Sequence, residues 1–325
     1  MKKKKHWKWQ WLIIQRNSKH TFVYSCFRER NRMHSYLRTI GFEQMDHKKF
    51  DEILNLIAEQ PNYMNIAKDS QGNDFVEFSK DFGESFGITV CGNYTEDHSF
   101  IMDYYYPYFR GTGITSEEHI EIEKHSDKES YAAVCDDIKV GITLIFFLQN
   151  VSEYLKEKTG WKKNYMPKMT ATLSGLSLEG KILLPINKDE TQIQKKEKMT
   201  QNRNHLLAAA REGDEDAIES LTLEDIDMYS MLSRRIMNED ILSIVDSYFM
   251  PYGIESDQYS VLGEILNVYY TKNNITEDRI CIMTLDTNDL IYDICINEKD
   301  LLGEPLVGRR FKGTIWLQGS VRVKN

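Results

Sequence analysis

"NDFVEFSKDFGESFGITVCGNY", residues 73–94, indicates the class of fold because its apolar and polar residues alternate with a period of two. Such alternation is typical of β-strands with one buried face, and the glycine of "DFG" suits a tight turn between two strands. We therefore predict an antiparallel hairpin here. The preceding segment, 46–61, has apolar residues at helical spacing instead, with Asp46 as a candidate N-cap and Pro61 as a stop.

Period-two segments recur on both sides of a polar stretch, residues 188–204, which lacks apolar periodicity. Before that stretch, the strand patterns occupy residues 99–111, 118–125, 130–149 and 169–187, of which the last two are long enough for two strands each. After it, the strand patterns occupy residues 241–250, 257–271, 279–286, 289–297 and 308–319. Helical patterns occupy residues 150–158, 205–213, 214–221 and 222–238.

These patterns predict an α+β protein. A mainly antiparallel N-terminal sheet with flanking helices is followed by a helical segment that leads into a small antiparallel β-barrel or sandwich. We divide the chain accordingly into an α+β domain (33–187), a polar linker (188–204), and helices followed by an antiparallel, barrel-like domain (205–325).

Charge separates residues 1–32 from the rest of the chain. They contain ten Lys and Arg, one Glu and three Trp, whereas residues 33–325 contain 31 Lys and Arg against 49 Asp and Glu, a net charge of −18. "RERNR" before Met33 has the composition that a ribosome-binding site read in frame would give, so we expect translation to start at Met33. The alternative is a disordered basic arm that binds nucleic acid or a membrane interface.

The acidic remainder and the cysteines restrict the compartment and the partners. A body of this charge repels nucleic acid and anionic lipid and favours basic partners. The cysteines are odd in number and widely spaced, without a CxxC pair, which argues against a disulfide framework and a zinc knuckle; they are Cys26, Cys91, Cys135, Cys281 and Cys295. The longest apolar run, 140–148, is too short for a membrane span, and no signal peptide is evident. We expect a cytoplasmic protein without membrane contact.

Four phrases resemble a known family. They are "MHSYLRTIGF" (33–42), "AIESLTLEDIDMYSMLSRRI" (217–236), "SYFMPYGIESDQYSVLGEI" (247–265) and "LLGEPLVGRRFKGTIWLQG" (301–319). With these phrases the chain from Met33 to its C-terminus resembles DUF3881, a bacterial family described as a domain of unknown function. The resemblance implies a cytosolic bacterial protein and supports Met33 as the start, and it carries over no activity, cofactor or catalytic residue.

One candidate metal site lies in "HIEIEKH", residues 119–125. In a strand, alternate residues share a face, so His119 and Glu121 project together and could ligate zinc, iron or manganese. A complete site needs at least one further ligand from another element. The alternative interpretation is a solvated outer face above a buried face formed by Ile120 and Ile122.

A candidate ligand-binding face lies in "RRFKGTIWLQG", residues 309–319. Its basic and aromatic side chains could bind an anionic ligand, or single-stranded nucleic acid on a small barrel; they are Arg309, Arg310, Lys312 and Trp316. Adjacent arginines in a strand point to opposite faces, so only one of the two could serve. The alternative is that they pair with local carboxylates such as Glu304.

The chain lacks the sequence motifs of nucleotide-binding loops, serine hydrolases and zinc proteases. We therefore predict a non-catalytic binding or scaffold protein with a protein partner, no catalytic residue and no cofactor. A metal-dependent hydrolase that uses His119 and Glu121 is the first alternative. Nucleic-acid binding through the C-terminal barrel is the second, and the acidic body makes it an unfavourable one.

Overall fold

A computed structural model describes residues 33–43, 45–95, 99–124, 128–137, 139–161, 167–186, 202–203, 205–210, 212–237, 241–254 and 257–324. The predictions for residues 1–32 lie outside this part of the chain, as does most of the predicted linker 188–204. Within the described residues, no helix combines the length and the apolar composition that a bilayer span requires.

The described chain is mainly β-structure. The α-helices are α1 (His47–Glu59), α2 (Val151–Lys158), α3 (Glu215–Ile236) and α4 (Ile241–Ile244). Strands β1 to β7 are Tyr63–Lys68, Asp74–Asp81, Phe86–Tyr94, Phe100–Phe109, Ile120–Lys124, Tyr131–Asp137 and Ile142–Leu148. Strands β8 to β14 are Met169–Leu183, Tyr248–Pro251, Gln258–Lys272, Arg279–Thr287, Leu290–Asn297, Leu301–Leu302 and Arg310–Val323. Two 3₁₀ helices span Ser35–Ile40 and Glu298–Asp300.

The first four strands form an antiparallel sheet in the order β1-β2-β3-β4. Helix α1 packs against β2 and β3, and α2 packs against β1 and β2. The predicted hairpin at 73–94 is therefore found as β2 and β3. The predicted helix at 46–61 is found as α1, and the Asp46 side chain accepts a hydrogen bond from the Lys49 N–H at 2.8 Å.

Five strands close into a barrel. Hydrogen-bonded neighbours run in the order β8-β12-β11-β10-β14, and β14 pairs again with β8. The β8–β12 pairing is parallel and the other four are antiparallel. This corrects the predicted barrel in two respects, because one of its pairings is parallel and one of its strands, β8, precedes the polar stretch 188–204.

The barrel is extended into a ten-stranded sheet. Strand β7 pairs with β14 in parallel through Phe147 and Leu148, and β6 and β5 follow outward. Strands from both predicted domains thus lie in one sheet. The boundaries that we drew between those domains stay a prediction.

The segment 169–187 is a single strand, whereas the sequence predicted a hairpin. Gly175 and Gly180 form no turn within this strand and provide space for side chains of the neighbouring strands. A Cβ at Gly180 would lie 2.3 Å from the Phe311 ring. The predicted helical segments 214–221 and 222–238 likewise form one helix, α3.

The 3₁₀ helix Ser35–Ile40 packs against β8 and β12 of the barrel. Its Leu37 and Ile40 side chains are buried, and Asn273 Nδ2 donates to the Ile40 carbonyl at 2.6 Å. The helix ends at Gly41, whose φ of 95° favours glycine. This arrangement joins the N-terminal segment to the barrel core.

A buried polar joint connects the four-stranded sheet to the barrel. Gln318 Nε2 donates to the Pro107 carbonyl at 2.8 Å, and its Oε1 accepts from Gln149 Nε2 at 2.8 Å and from the Phe109 N–H at 3.3 Å. Ser174 Oγ donates to the Phe109 carbonyl at 2.5 Å. Because these groups are withdrawn from water, the joint fixes how the two sheets meet.

Candidate functional site

An open cleft of about 790 Å³ lies between the 3₁₀ helix Ser35–Ile40 and the barrel. Its apolar lining comes from the N-terminal segment and from β8, and consists of Met33, Tyr36, Leu37, Phe42 and Leu178. Its polar lining consists of His34, Ser35, Arg38, Glu43, His47, Glu179, Gln258 and Thr314, and Tyr252 also lines it. The cleft thus offers both apolar and polar side chains to an occupant.

Aromatic rings support one wall of the cleft. The Trp316 ring lies with its centroid 4.8 Å from that of His34 and 5.3 Å from that of Tyr36. Trp316 is 6% exposed, and its Nε1 donates to Asp257 Oδ2 at 2.7 Å. Trp316, which we predicted as a ligand-binding residue, therefore lies behind the cleft wall and holds His34 and Tyr36 in place.

His34 contributes a neutral imidazole to the cleft. Burial lowers the pKa of His34 to about 4, so the ring carries no charge near neutral pH. Its Nδ1 accepts a hydrogen bond from the Tyr36 N–H at 3.4 Å, and the main-chain N–H of His34 donates to the Tyr105 hydroxyl at 3.2 Å. Because Nδ1 accepts, the ring hydrogen lies on Nε2, which can serve as a donor.

The charges that line the cleft leave an excess of negative charge. Arg38 forms an ion pair with Asp300 and a second with Glu43 at 3.3 Å, so its positive charge is already matched. Glu179 forms no ion pair with any residue that the structure describes. Since no other Lys or Arg among the described residues lines the cleft, an occupant with positive charge is favoured.

The basic residues that the sequence suggested have other roles. The Arg310 guanidinium donates to three main-chain carbonyls, those of Leu184, Leu242 and Val245. Arg309 donates to the Glu304 carbonyl at 2.7 Å and lies 3.6 Å from its carboxylate.

Lys312 is half-buried on β14 and has no such bond within the described part of the chain. None of Arg309, Arg310 and Lys312 lines the cleft. A ligand-binding role for this segment stays a prediction, with Lys312 as its unengaged cation.

The suggested metal ligands lie side by side on the surface. His119 Nε2 is 3.2 Å from Glu121 Oε1, and the side chains are 70% and 58% exposed. Among the described residues, no group of three or more His, Cys, Asp or Glu side chains is arranged to hold a metal ion. Ile120 is buried beneath the pair, and the metal site stays a prediction.

The described cysteines are buried and unpaired; they are Cys91, Cys135, Cys281 and Cys295. Burial raises the pKa of each thiol, to about 11 for Cys135, where Asp137, Glu118 and Asp136 act in the same direction. Thiols with raised pKa values are poor nucleophiles at neutral pH.

A second unusual group, Glu77, lies in the core. Its carboxylate sits on β2 under the first turn of α2, and Oε2 accepts the Ser152 N–H at 3.1 Å. Glu77 Oε1 and Ser152 Oγ have no hydrogen-bond partner in the part of the chain that the structure describes. The alternation of 73–94 placed Glu77 on a polar face, and nothing local in the sequence indicated that a helix covers that face.

The cleft residues were also missed, because they come from four separate segments and share no spacing. The nearest signal was the phrase "MHSYLRTIGF", which contains His34 and Tyr36 and which we had used only for the resemblance.

Comparison with known proteins agrees with that resemblance. No curated protein and no solved structure matches the chain. The model of one family, described as a domain of unknown function with the note "E. rectale Gene description", matches residues 37–319. This range starts in the 3₁₀ helix that packs against the barrel and ends in β14, so it spans both sheets. The chain belongs to the DUF3881 family.

Proposed function

We propose that this protein is a non-catalytic, cytosolic binding protein whose cleft holds a short segment of a protein partner. The segment carries a Lys or Arg side chain next to an apolar one. The apolar side chain packs on Leu178 and Phe42, and the cation approaches Glu179.

The observation that carries this proposal is the combination of an apolar lining with a carboxylate that has no ion-pair partner among the described residues. A cationic side chain would neutralise Glu179, whereas an anionic ligand would find only Arg38, which Asp300 and Glu43 already neutralise. The net charge of −18 on residues 33–325 favours the approach of the same kind of partner over a longer range.

Exposed apolar side chains beside the cleft also support a protein partner. Tyr252 and Ile254 lie in the β9–β10 connection and are 51% and fully exposed, and Met250 near the end of β9 is 51% exposed. Large exposed apolar side chains near a concave site mark surfaces for protein interaction. The buried, unpaired thiols agree with a reducing compartment.

Selection of peptides from a random library on the full chain tests the proposal. We expect the selected peptides to be enriched in Lys or Arg next to Leu, Phe, Tyr or Trp. The affinity of the best peptide is then measured by calorimetry for the wild type and for two matched variants. Glu179→Gln removes the cleft carboxylate, and Glu123→Gln removes an exposed carboxylate on β5.

We expect Glu179→Gln to weaken binding about fivefold, which corresponds to about 1 kcal/mol, and to reduce its salt dependence. Glu123→Gln should leave the affinity unchanged. Selected peptides without cations, or equal affinities for all three proteins, would contradict the proposal.

A further inference from the structure

The carboxyl group of Glu77 is fully buried between a sheet and a helix. Glu77 lies on β2 opposite Cys91 of β3, and Cys91 lies opposite Tyr104 of β4, so the three side chains form a row across the four-stranded sheet. Helix α2 packs against β1 and β2 and so lies over the Glu77 end of this row. Oε2 of Glu77 accepts the Ser152 N–H, but Oε1 and the Ser152 hydroxyl oxygen lie within no hydrogen-bond geometry to any described residue, although both are shielded from solvent.

The ionisable groups that face Glu77 leave its carboxyl without a close counter-charge. Burial raises the pKa values of Cys91, Tyr104 and Tyr106, so the thiol and both phenols stay neutral near pH 7. From α2, Glu153 disfavours an ionised Glu77 and Lys156 favours it. Burial is the largest influence and raises the pKa of Glu77 to about 7.

The free-energy cost of burying Glu77 under α2 depends on whether its carboxyl group is protonated. A neutral carboxyl can remain under α2 at modest cost, because it keeps its acceptor oxygen on the Ser152 N–H. An ionised carboxyl in the same place has only the N–H and the hydroxyl of Ser152 as donors among the described groups, which is too few to compensate for the burial of a charge. Water that enters above the sheet would relieve that cost, and the first turn of α2 is the part that covers the carboxyl.

The residues just before α2 connect this site to the barrel. The Gln149 N–H donates to the Gly319 carbonyl at 2.8 Å, and the Asn150 side chain bonds both main-chain groups of Val321. A displacement of the first turn of α2 therefore acts on the segment that joins the two sheets.

We propose that Glu77 and the first turn of α2 form a proton-sensitive latch. When Glu77 is protonated, α2 lies closed on the four-stranded sheet, and when Glu77 is ionised, the first turn of α2 opens and admits water to the carboxylate. The latch rests on its own geometry and is independent of the cleft.

Hydrogen exchange of the full chain, measured by mass spectrometry from pH 5.5 to 9, tests the latch. Rates are corrected for the intrinsic pH dependence of exchange, and peptides from α1 serve as an internal reference. From pH 5.5 to about 7, we expect the opening of residues 151–155 to increase about tenfold per pH unit and then to level off, because in this range the open state releases the Glu77 proton that the closed state retains. The reference peptides from α1 should show no such increase.

Three variants make the test specific. Glu77→Gln keeps the shape of the protonated side chain, and its α2 exchange should lose the pH dependence. Glu153→Gln removes a carboxylate from α2 itself and should retain the dependence. Ser152→Ala should retain it with a higher midpoint, since it removes a hydroxyl that can bond the ionised carboxylate.

Infrared spectroscopy gives a second measurement that does not depend on a variant. The carbonyl band of a protonated carboxyl group should be present at pH 6 and lost by pH 8.5. Corrected exchange in α2 that does not change with pH, or that changes equally in Glu77→Gln, overturns the latch. Absence of a protonated carboxyl band at pH 6 overturns it as well.

Discussion

Replacement of Gln318 by Leu should separate the contribution of the polar joint from that of packing. Gln318 is fully buried, and leucine fills a similar volume, so the substitution removes hydrogen bonds and leaves little cavity. Gln149 Nε2 keeps its bond to the Phe109 carbonyl at 2.8 Å. The Pro107 carbonyl and the Phe109 N–H lose the partner that Gln318 supplied.

The size of the effect follows from these two groups. A buried main-chain group without a partner costs about 1–3 kcal/mol, and the added apolar surface of leucine offsets part of that cost. We therefore expect Gln318→Leu to lower the free energy of unfolding by about 3 kcal/mol. Urea unfolding, followed by fluorescence and by circular dichroism, measures this change.

Gln60→Leu is the matched control, because Gln60 is exposed at the end of α1. Its effect should stay within about 0.5 kcal/mol. Wild-type stability in Gln318→Leu would refute the reasoning, because it would mean that the sheets are held together without the joint. A loss of the same size in Gln60→Leu would show that the change does not come from the joint.

Three further substitutions test other parts of the structure. Arg310→Met should destabilise the protein by about 2–3 kcal/mol in urea unfolding, because three carbonyls lose their donor, and should leave peptide binding unchanged. Gly41→Ala should lower the melting temperature more than Gly72→Ala does, and the difference should correspond to about 1 kcal/mol of stability. Both glycines have φ near 90°, but only at Gly41 would the new Cβ meet neighbouring atoms, at 3.0–3.2 Å. Burial alone would raise the pKa of Glu129, but hydrogen bonds, above all the one from Lys124, outweigh it and lower that pKa. The ionised carboxylate therefore stabilises the fold above its unfolded pKa, and this stabilisation is lost as the pH falls. Thermal melts of Glu129→Gln should lose that part of the acid sensitivity.

The elements that the sequence predicted well are those with local signals. Helix α1 has an N-cap, an apolar stripe and a proline after its end, all within 16 residues. The β2–β3 hairpin has alternation on both sides of a turn. The β11–β12 turn was visible as "DTND", and its Asn288 and Asp289 adopt the positive φ angles that a two-residue hairpin requires.

The strand order of the barrel could not be predicted from local patterns, because the barrel closes through pairings between residues that are distant in sequence. Strand β8 pairs with β14 over its whole length and with β12 in parallel, across more than one hundred residues of chain. Nothing within 169–187 specifies those partners. The Phe311 ring that needs the space at Gly180 is likewise far away in sequence.

The cleft was missed for a related reason, and the partners of the basic residues could not be predicted for another. The charge of Arg310 is evident in the sequence, but the carbonyls that it bonds lie at the end of β8 and around α4. A charged residue can be recognised locally, whereas its partner is set by the tertiary structure. Sequence patterns therefore indicate where the cationic residues lie in the chain, but they do not indicate whether those residues are free to bind a ligand.

The charge balance of the chain explains why the available groups are carboxylates. In residues 33–325, 49 Asp and Glu face 31 Lys and Arg, so carboxylates must remain after every cation has found a partner. Arg38 illustrates the competition, because two carboxylates, those of Asp300 and Glu43, share one guanidinium. An exposed carboxylate such as that of Glu179 attracts a cation only weakly by itself, but where apolar side chains line the same cleft, a segment that carries both kinds of side chain can bind them together. Glu179 is in that position, so a basic segment is the partner to search for first, and Glu179→Gln is the variant that tests the choice.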